Sequence, residues 1–166
     1  PRVPVVDACQ IAHGAGTSAT VRVPFELVDG RIYVQASVNG NGPYRFAVDT
    51  GASGMGRADA RLVQALDLRM SGQVLNSDGV HVATNDTTRL DSVDLGGLVR
   101  RDIDVIARDY GKGKSEAQRF DGILGREFFA DGLLVIDYPN KLLAFTTVAG
   151  IPPDAPIQVA EAGAGK

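Results

Sequence analysis

The residues best suited to chemistry lie in one short stretch, Phe46-Ala47-Val48-Asp49-Thr50-Gly51-Ala52-Ser53. An apolar run ends there in a carboxylate, which puts Asp49 at the tip of a strand in a partly desolvated setting, where a carboxyl group is suited to proton transfer. Thr50 can donate its hydroxyl to a backbone carbonyl and fix the loop, and the Ser53 hydroxyl can hydrogen-bond a carboxylate oxygen. Gly51 leaves room for another backbone or a substrate, and Ala52 keeps the surroundings small. Taken alone, Asp-Thr-Gly also fits a strand that ends in an Asx-type turn. The context argues for more. A hairpin pattern precedes it, and about seventy residues later stands Ile123-Leu124-Gly125, two apolar residues and a glycine.

The flanking patterns supply the elements that must hold these residues. Val21 to Leu27 and Arg31 to Val38 alternate as strands, the second with Ile32, Val34, Ala36 and Val38 on one face. Asn39-Gly40-Asn41-Gly42-Pro43 reads as a turn, and Tyr44 to Val48 as the strand leading into Asp49. Ala58 to Leu68 reads as a short helix with Asp59 near its start. The polar text from Gln73 to Arg89 suits a β-hairpin with its tip near Ser77 to Val80. Leu90 to Leu95 and Asp102 to Ala107 follow as strands about Gly96-Gly97, and Tyr110 to Gln118 as a loop. Phe120 to Gly125 is a short apolar strand, Arg126 to Ala130 one helical turn, and Leu133 to Tyr138 with Lys141 to Thr147 a last hairpin. The expectation is a mostly β domain over residues 21–150 with one or two short helices. An extended or mobile N-terminal arm (1–20) and a flexible C-terminal tail (151–166) flank it.

Bulk properties exclude several function classes. The chain has 166 residues, 44% of them hydrophobic and 22% charged, which suits one ordinary globular domain. Twenty glycines, few aromatics and no Trp lean toward β structure with many turns. A net charge of -3 with both signs interspersed is no nucleic-acid footprint, and no apolar run is long enough to be a transmembrane segment. A single cysteine, Cys9, excludes an internal disulfide and a multi-cysteine zinc site. His13 and His81 lack ligand spacing. Asp7, Asp29, Asp49 and Asp59 therefore have no histidine partners, so a metal hydrolase is a distant alternative and no metal or other cofactor is expected.

Residues 30 to 147 resemble a retropepsin-like aspartic peptidase of the bacterial single-domain kind. The resemblance rests on Asp49-Thr50-Gly51-Ala52-Ser53, on Asp121-Gly122-Ile123-Leu124-Gly125-Arg126, and on the closing hairpin at Ile136-Asp137-Tyr138. It implies a closed retropepsin-like (acid protease) β-barrel that pairs with a second copy, with Asp49 catalytic. It also implies that Ile123-Leu124-Gly125 threads behind the Asp49 loop and buttresses it. Arg126 stands where retroviral members carry an arginine that supports the subunit interface. The acid usually opposite it is Ser53 here, so its partner is left open, and Glu127 replaces the usual Asn or Asp. The hairpin around residues 74 to 88 would be the flap, with its tip near Asp78-Gly79-Val80.

Peptide hydrolysis by this route needs two carboxylates. Asp29-Gly30, Asp78-Gly79, Asp121-Gly122 and Asp131-Gly132 all lack the intervening Thr or Ser, so the chain holds one Asp-Thr-Gly. A two-fold homodimer supplies the second Asp49 without new sequence. The expected activity is thus that of an aspartic endopeptidase on peptide or protein substrates, with Val80 and Ile123 favouring apolar side chains. Its rivals are a catalytically inactive retropepsin-like module for dimerisation or peptide binding, and a non-enzymatic envelope β-barrel or sandwich. The Gly/Ala-rich ends and the absence of an initiator Met favour a processed, exported bacterial protein, periplasmic or membrane-tethered, with a cytoplasmic location left open.

Overall fold

The computed structural model describes residues 20–148 with the exception of Asp78. The expected arm up to residue 19, the tail, Cys9 and His13 lie outside the described residues. In chain order the elements are β1 (Thr20–Pro24), β2 (Glu26–Val28), β3 (Arg31–Val38), β4 (Asn41–Val48), β5 (Gly56–Asp59), α1 (Ala60–Ala65), β6 (Met70–Ser77), β7 (Val82–Leu95), β8 (Leu98–Arg108), β9 (Gly122–Leu124), β10 (Gly132–Asp137) and β11 (Leu142–Thr147). Single three-ten turns occupy Glu116–Gln118 and Arg126–Phe129.

Alternation in β3 sends Ile32, Val34, Ala36 and Val38 into the main core, where they meet Phe46, Leu90, Val93 and Phe128. Tyr33 points the other way and joins Ala47 and Phe120 in a second small core. The β3–β4 turn is tighter than expected. It consists of Asn39 and Gly40 alone, both left-handed (φ 51° and 76°), a twist that suits a two-residue hairpin.

The larger sheet runs β2-β3-β4-β9-β5-β8-β7-β6, and a separate three-stranded sheet runs β1-β11-β10. Most pairings are antiparallel; β4 with β9 and β5 with β8 are parallel. A further pairing of β3 with β7 joins β3-β4-β9-β5-β8-β7 into a ring. β3 touches β7 at Ser37–Asp94 and Val38–Val93 only, and β2 and β6 remain at the two ends of the ladder.

Two further expectations change. Val21 to Leu27 is two strands rather than one: β1 pairs with β11, while β2 pairs with β3. Pro24, with no N–H to offer a ladder, ends the first, and the Phe25 N–H donates to Lys141 O at 2.9 Å. The helix expected from Ala58 begins at Ala60 and ends at Ala65, because Ala58 and Asp59 are buried in β5 between β8 and β9. The Asp59 carboxylate then caps α1, accepting from Arg61 N at 2.9 Å.

Arg100 joins β8 to the turn after β9. Its guanidinium donates to Phe128 O at 2.8 and 3.1 Å and to Asp131 Oδ2 at 2.8 Å. The Arg100 hydrogen bond holds the Asp131 carboxyl below the usual carboxylate range, against a smaller opposing effect of burial. The folded state therefore binds this proton less readily than the unfolded chain. The stabilisation is complete above the unfolded Asp value of about 4 and is lost as pH falls through the lower folded value. Denaturant midpoints measured from about pH 6 down to pH 2 should fall with acid, and Asp131→Asn should flatten that part of the curve. A mutant curve parallel to wild type would contradict the linkage.

Candidate active site

The Asp49 loop spans the gap between β4 and β5, and its own turn shapes it. Asp49 O accepts from Ala52 N at 3.1 Å, and Asp49 Oδ1 accepts from Gly51 N at 3.0 Å. The carboxylate is thus oriented by an amide two residues ahead, as in an Asx-type turn.

β9 is inserted between β4 and β5. It runs parallel to β4 (Phe46–Gly122, Ala47–Ile123, Val48–Leu124) and antiparallel to β5 (Gly56–Leu124, Arg57–Ile123, Ala58–Gly122). At its end the backbone groups of the two segments interlock. Asp49 N donates to Leu124 O at 3.0 Å, Gly125 N to Met55 O at 2.9 Å, Arg126 N to Ala52 O at 2.8 Å and Glu127 N to Gly54 O at 3.1 Å. Asp49-Thr50-Gly51-Ala52-Ser53 and Ile123-Leu124-Gly125-Arg126 are therefore brought together as one backbone unit.

Proximity requires glycine at position 125 and constrains position 51. A Cβ on Gly51 would stand 3.2 Å from Asp49 Oδ1, and one on Gly125 would stand 2.5 Å from Gly54 O and 3.0 Å from Ala52 O. The second contact is with backbone that the turn after β9 itself holds, so it has little freedom to yield.

Other expectations are not met within the chain. Asp49, Thr50, Gly51 and Ser53 are exposed, so the subunit itself does not desolvate the carboxylate. Among the described residues neither the Thr50 nor the Ser53 hydroxyl makes a hydrogen bond, and the Asp49 carboxylate accepts from the Gly51 amide instead. Arg126 is exposed and makes no ion pair among the described residues; its contribution to the loop is its backbone N–H. Leu124 is buried, and Ile123 is half-buried.

The hairpin of β6 and β7 pairs Ser77 with Val82, which puts its tip at residues 78–81. Asp78 lies outside the described residues. Gly79 is left-handed (φ 90°), and its N–H donates to Ser77 Oγ at 3.1 Å. Thr88 and Leu90 of β7 point into the core, so the alternate positions further out, Val82 and Thr84 with their partners Ser77 and Leu75, share that side. Leu75, Val80 and Val82 are 72%, 81% and 70% exposed.

Sequence reasoning missed Arg57. It is 9% exposed in β5, and its Nη1 donates to Ser53 O at 2.8 Å and to Gly56 O at 2.9 Å. No local signal marks it, since an arginine beside small residues reads as solvent-facing.

A family model described as aspartyl protease matches residues 34–128, from β3 to the turn after β9. No curated protein matches the chain at a significant level. The match spans more than half of the sequence and contains both interlocked segments. The chain belongs to the aspartyl protease family, of the retropepsin-like kind.

Gly125→Ala should lower stability by about 1–3 kcal/mol through the enforced contact with the loop backbone. Thermal unfolding checks this, and a midpoint equal to wild type would contradict the close approach. Gly51→Ala, with open solvent beside it, should change the midpoint less.

Proposed function

We propose that the protein is an aspartic endopeptidase that acts as a homodimer, with Asp49 of each copy forming a catalytic pair at the two-fold axis. The observation that carries this reading is an exposed Asp49 held by a rigid backbone unit in a chain of the aspartyl protease family. A single carboxylate in water is a poor catalyst of amide hydrolysis. Two of them facing each other cannot both ionise, so the pair keeps one proton and offers a base and an acid together. The ionised member takes a proton from water as it attacks the scissile carbonyl. The protonated member hydrogen-bonds the carbonyl oxygen and then helps protonate the leaving nitrogen. A second copy also supplies cover for the carboxylate that its own chain leaves exposed.

In this reading the backbone of β9 and of the following turn fixes the loop, so that Asp49 is placed before substrate arrives. The β6–β7 hairpin is the flap, with Gly79 and Val80 at its tip. Its core-side apolar residues Leu75 and Val82 face substrate when it closes and exclude water. Apolar side chains on the substrate suit such a lining, together with Ile123 below.

Incubation with a peptide library from about pH 3 to 8 should reveal cleavage, and Asp49→Asn should reduce it at least about 100-fold while leaving thermal stability near wild type. Equal cleavage by the mutant, or none by wild type, would sink the peptidase reading and leave the inactive binding module. Activity should also rise more steeply than in proportion to chain concentration wherever the dimer is incompletely formed. Specific activity that stays constant on dilution of a chain shown by light scattering to be monomeric would refute the shared site.

A further inference from the structure

We infer that Arg57 is a positioning residue for the Asp49 loop, completing with one side chain the set of backbone hydrogen bonds that β9 and the turn after it leave open. The inference rests on the peptidase reading for its catalytic consequence, and on geometry alone for its structural one. From Ala52 to Gly56 every loop carbonyl has a donor. Ala52 O, Gly54 O and Met55 O take the backbone N–H groups of Arg126, Glu127 and Gly125. Ser53 O and Gly56 O take Arg57 Nη1, at 2.8 and 2.9 Å. The side chain thus reaches two carbonyls to which the turn after β9 contributes no N–H.

The setting argues against a simple packing role. Arg57 is 9% exposed yet makes no ion pair among the described residues. The nearby carboxylate of Asp59 is occupied by the amides of Arg61 and Tyr110, at 2.9 and 2.7 Å. A buried guanidinium without an acid is an expensive way to fill space, and an apolar side chain of similar size would do so at lower cost. What an apolar residue cannot do is donate to two converging carbonyls. The left-handed Gly54 (φ 78°) lies against the same nitrogen: a Cβ there would stand 3.7 Å from Nη1. The guanidinium is therefore seated inside the turn that carries Asp49, and it holds that turn from the β5 side while β9 holds it from the other.

Both bonds come from one nitrogen. A lysine ammonium, which carries three donors, can reproduce them, whereas Met cannot. Arg57→Met should lower kcat about 10–100-fold with KM changed less than about threefold, because a displaced carboxylate spoils attack geometry more than binding. Arg57→Lys should recover most of the loss. Amide hydrogen exchange gives a readout independent of catalysis. In Arg57→Met it should quicken across residues 50–56 and not in β7 or β8, and Arg57→Lys should restore it. Exchange that quickens evenly over the domain, or not at all in the loop, overturns the inference, as does a Lys variant no better than Met. If Arg57→Met fails to fold, Arg57→Gln against Arg57→Lys gives the same comparison. Wild-type chain that cleaves nothing overturns the peptidase reading instead, and the exchange pattern then decides the role of Arg57 alone.

Discussion

The backbone ladder between β9 and the Asp49 loop is the interaction on which the rest of the structure depends. A loop of small residues has few side chains with which to fix itself, and its polar backbone groups must find partners where burial denies them water. β9 resolves this by lying between β4 and β5, so that both ends of the loop are strands of its own sheet. Glycine at position 125 follows from the same demand, because two backbones approach there closely enough to exclude a Cβ. Arg57 answers the remainder of it. The apolar core on the other side of these strands gives the ladder something rigid to stand on, with Leu124, Phe46 and Phe128 among its most deeply buried side chains.

How much of this was legible in the sequence depends on whether a feature is set by local or distant contacts. Asp49-Thr50-Gly51 and Ile123-Leu124-Gly125 could be recognised because close backbone approach permits few residue types there. One face of β3 was readable from alternation, but not Tyr33 on the other face, since an aromatic suits a buried or a half-exposed site equally well. The break at Pro24 was hidden because β1 and β2 choose partners far apart in the chain, β11 and β3. Ala58 and Asp59 continue a helical text, yet pairing with β8 and β9 draws them into a strand. The closed barrel was expected from resemblance, whereas the extent of the β3–β7 contact is a matter of sheet curvature that no residue pattern states. Arg57 was invisible for the opposite reason to Asp49: its use of a long polar side chain in a buried strand runs against the usual habit of arginine.

The long β7–β8 hairpin shows how one element can keep a core-facing side through a bend. Its buried positions are Thr88 and Leu90 on one stretch of β7 and Val93 and Leu95 on the next, so the inward side changes near Asp91. On the facing strand Asp102 is left-handed (φ 52°), which bends the ribbon at that level. Both stretches thereby face the same core, Leu90 with Ile103 and Val105 on one side of the bend and Val93 and Leu95 with Leu98 on the other.

The place of β9 in the ladder also has a consequence for the order in which the molecule can be made. The loop closes through partners about seventy-five residues downstream, and contacts of such separation form late because loop closure is unfavourable until they form together. A nascent chain that has passed β8 already contains Asp49, its glycines and Arg57, but β4 and β5 have no strand between them to hold the turn. The fixed geometry of the Asp49 turn is therefore withheld until the last quarter of the domain has emerged.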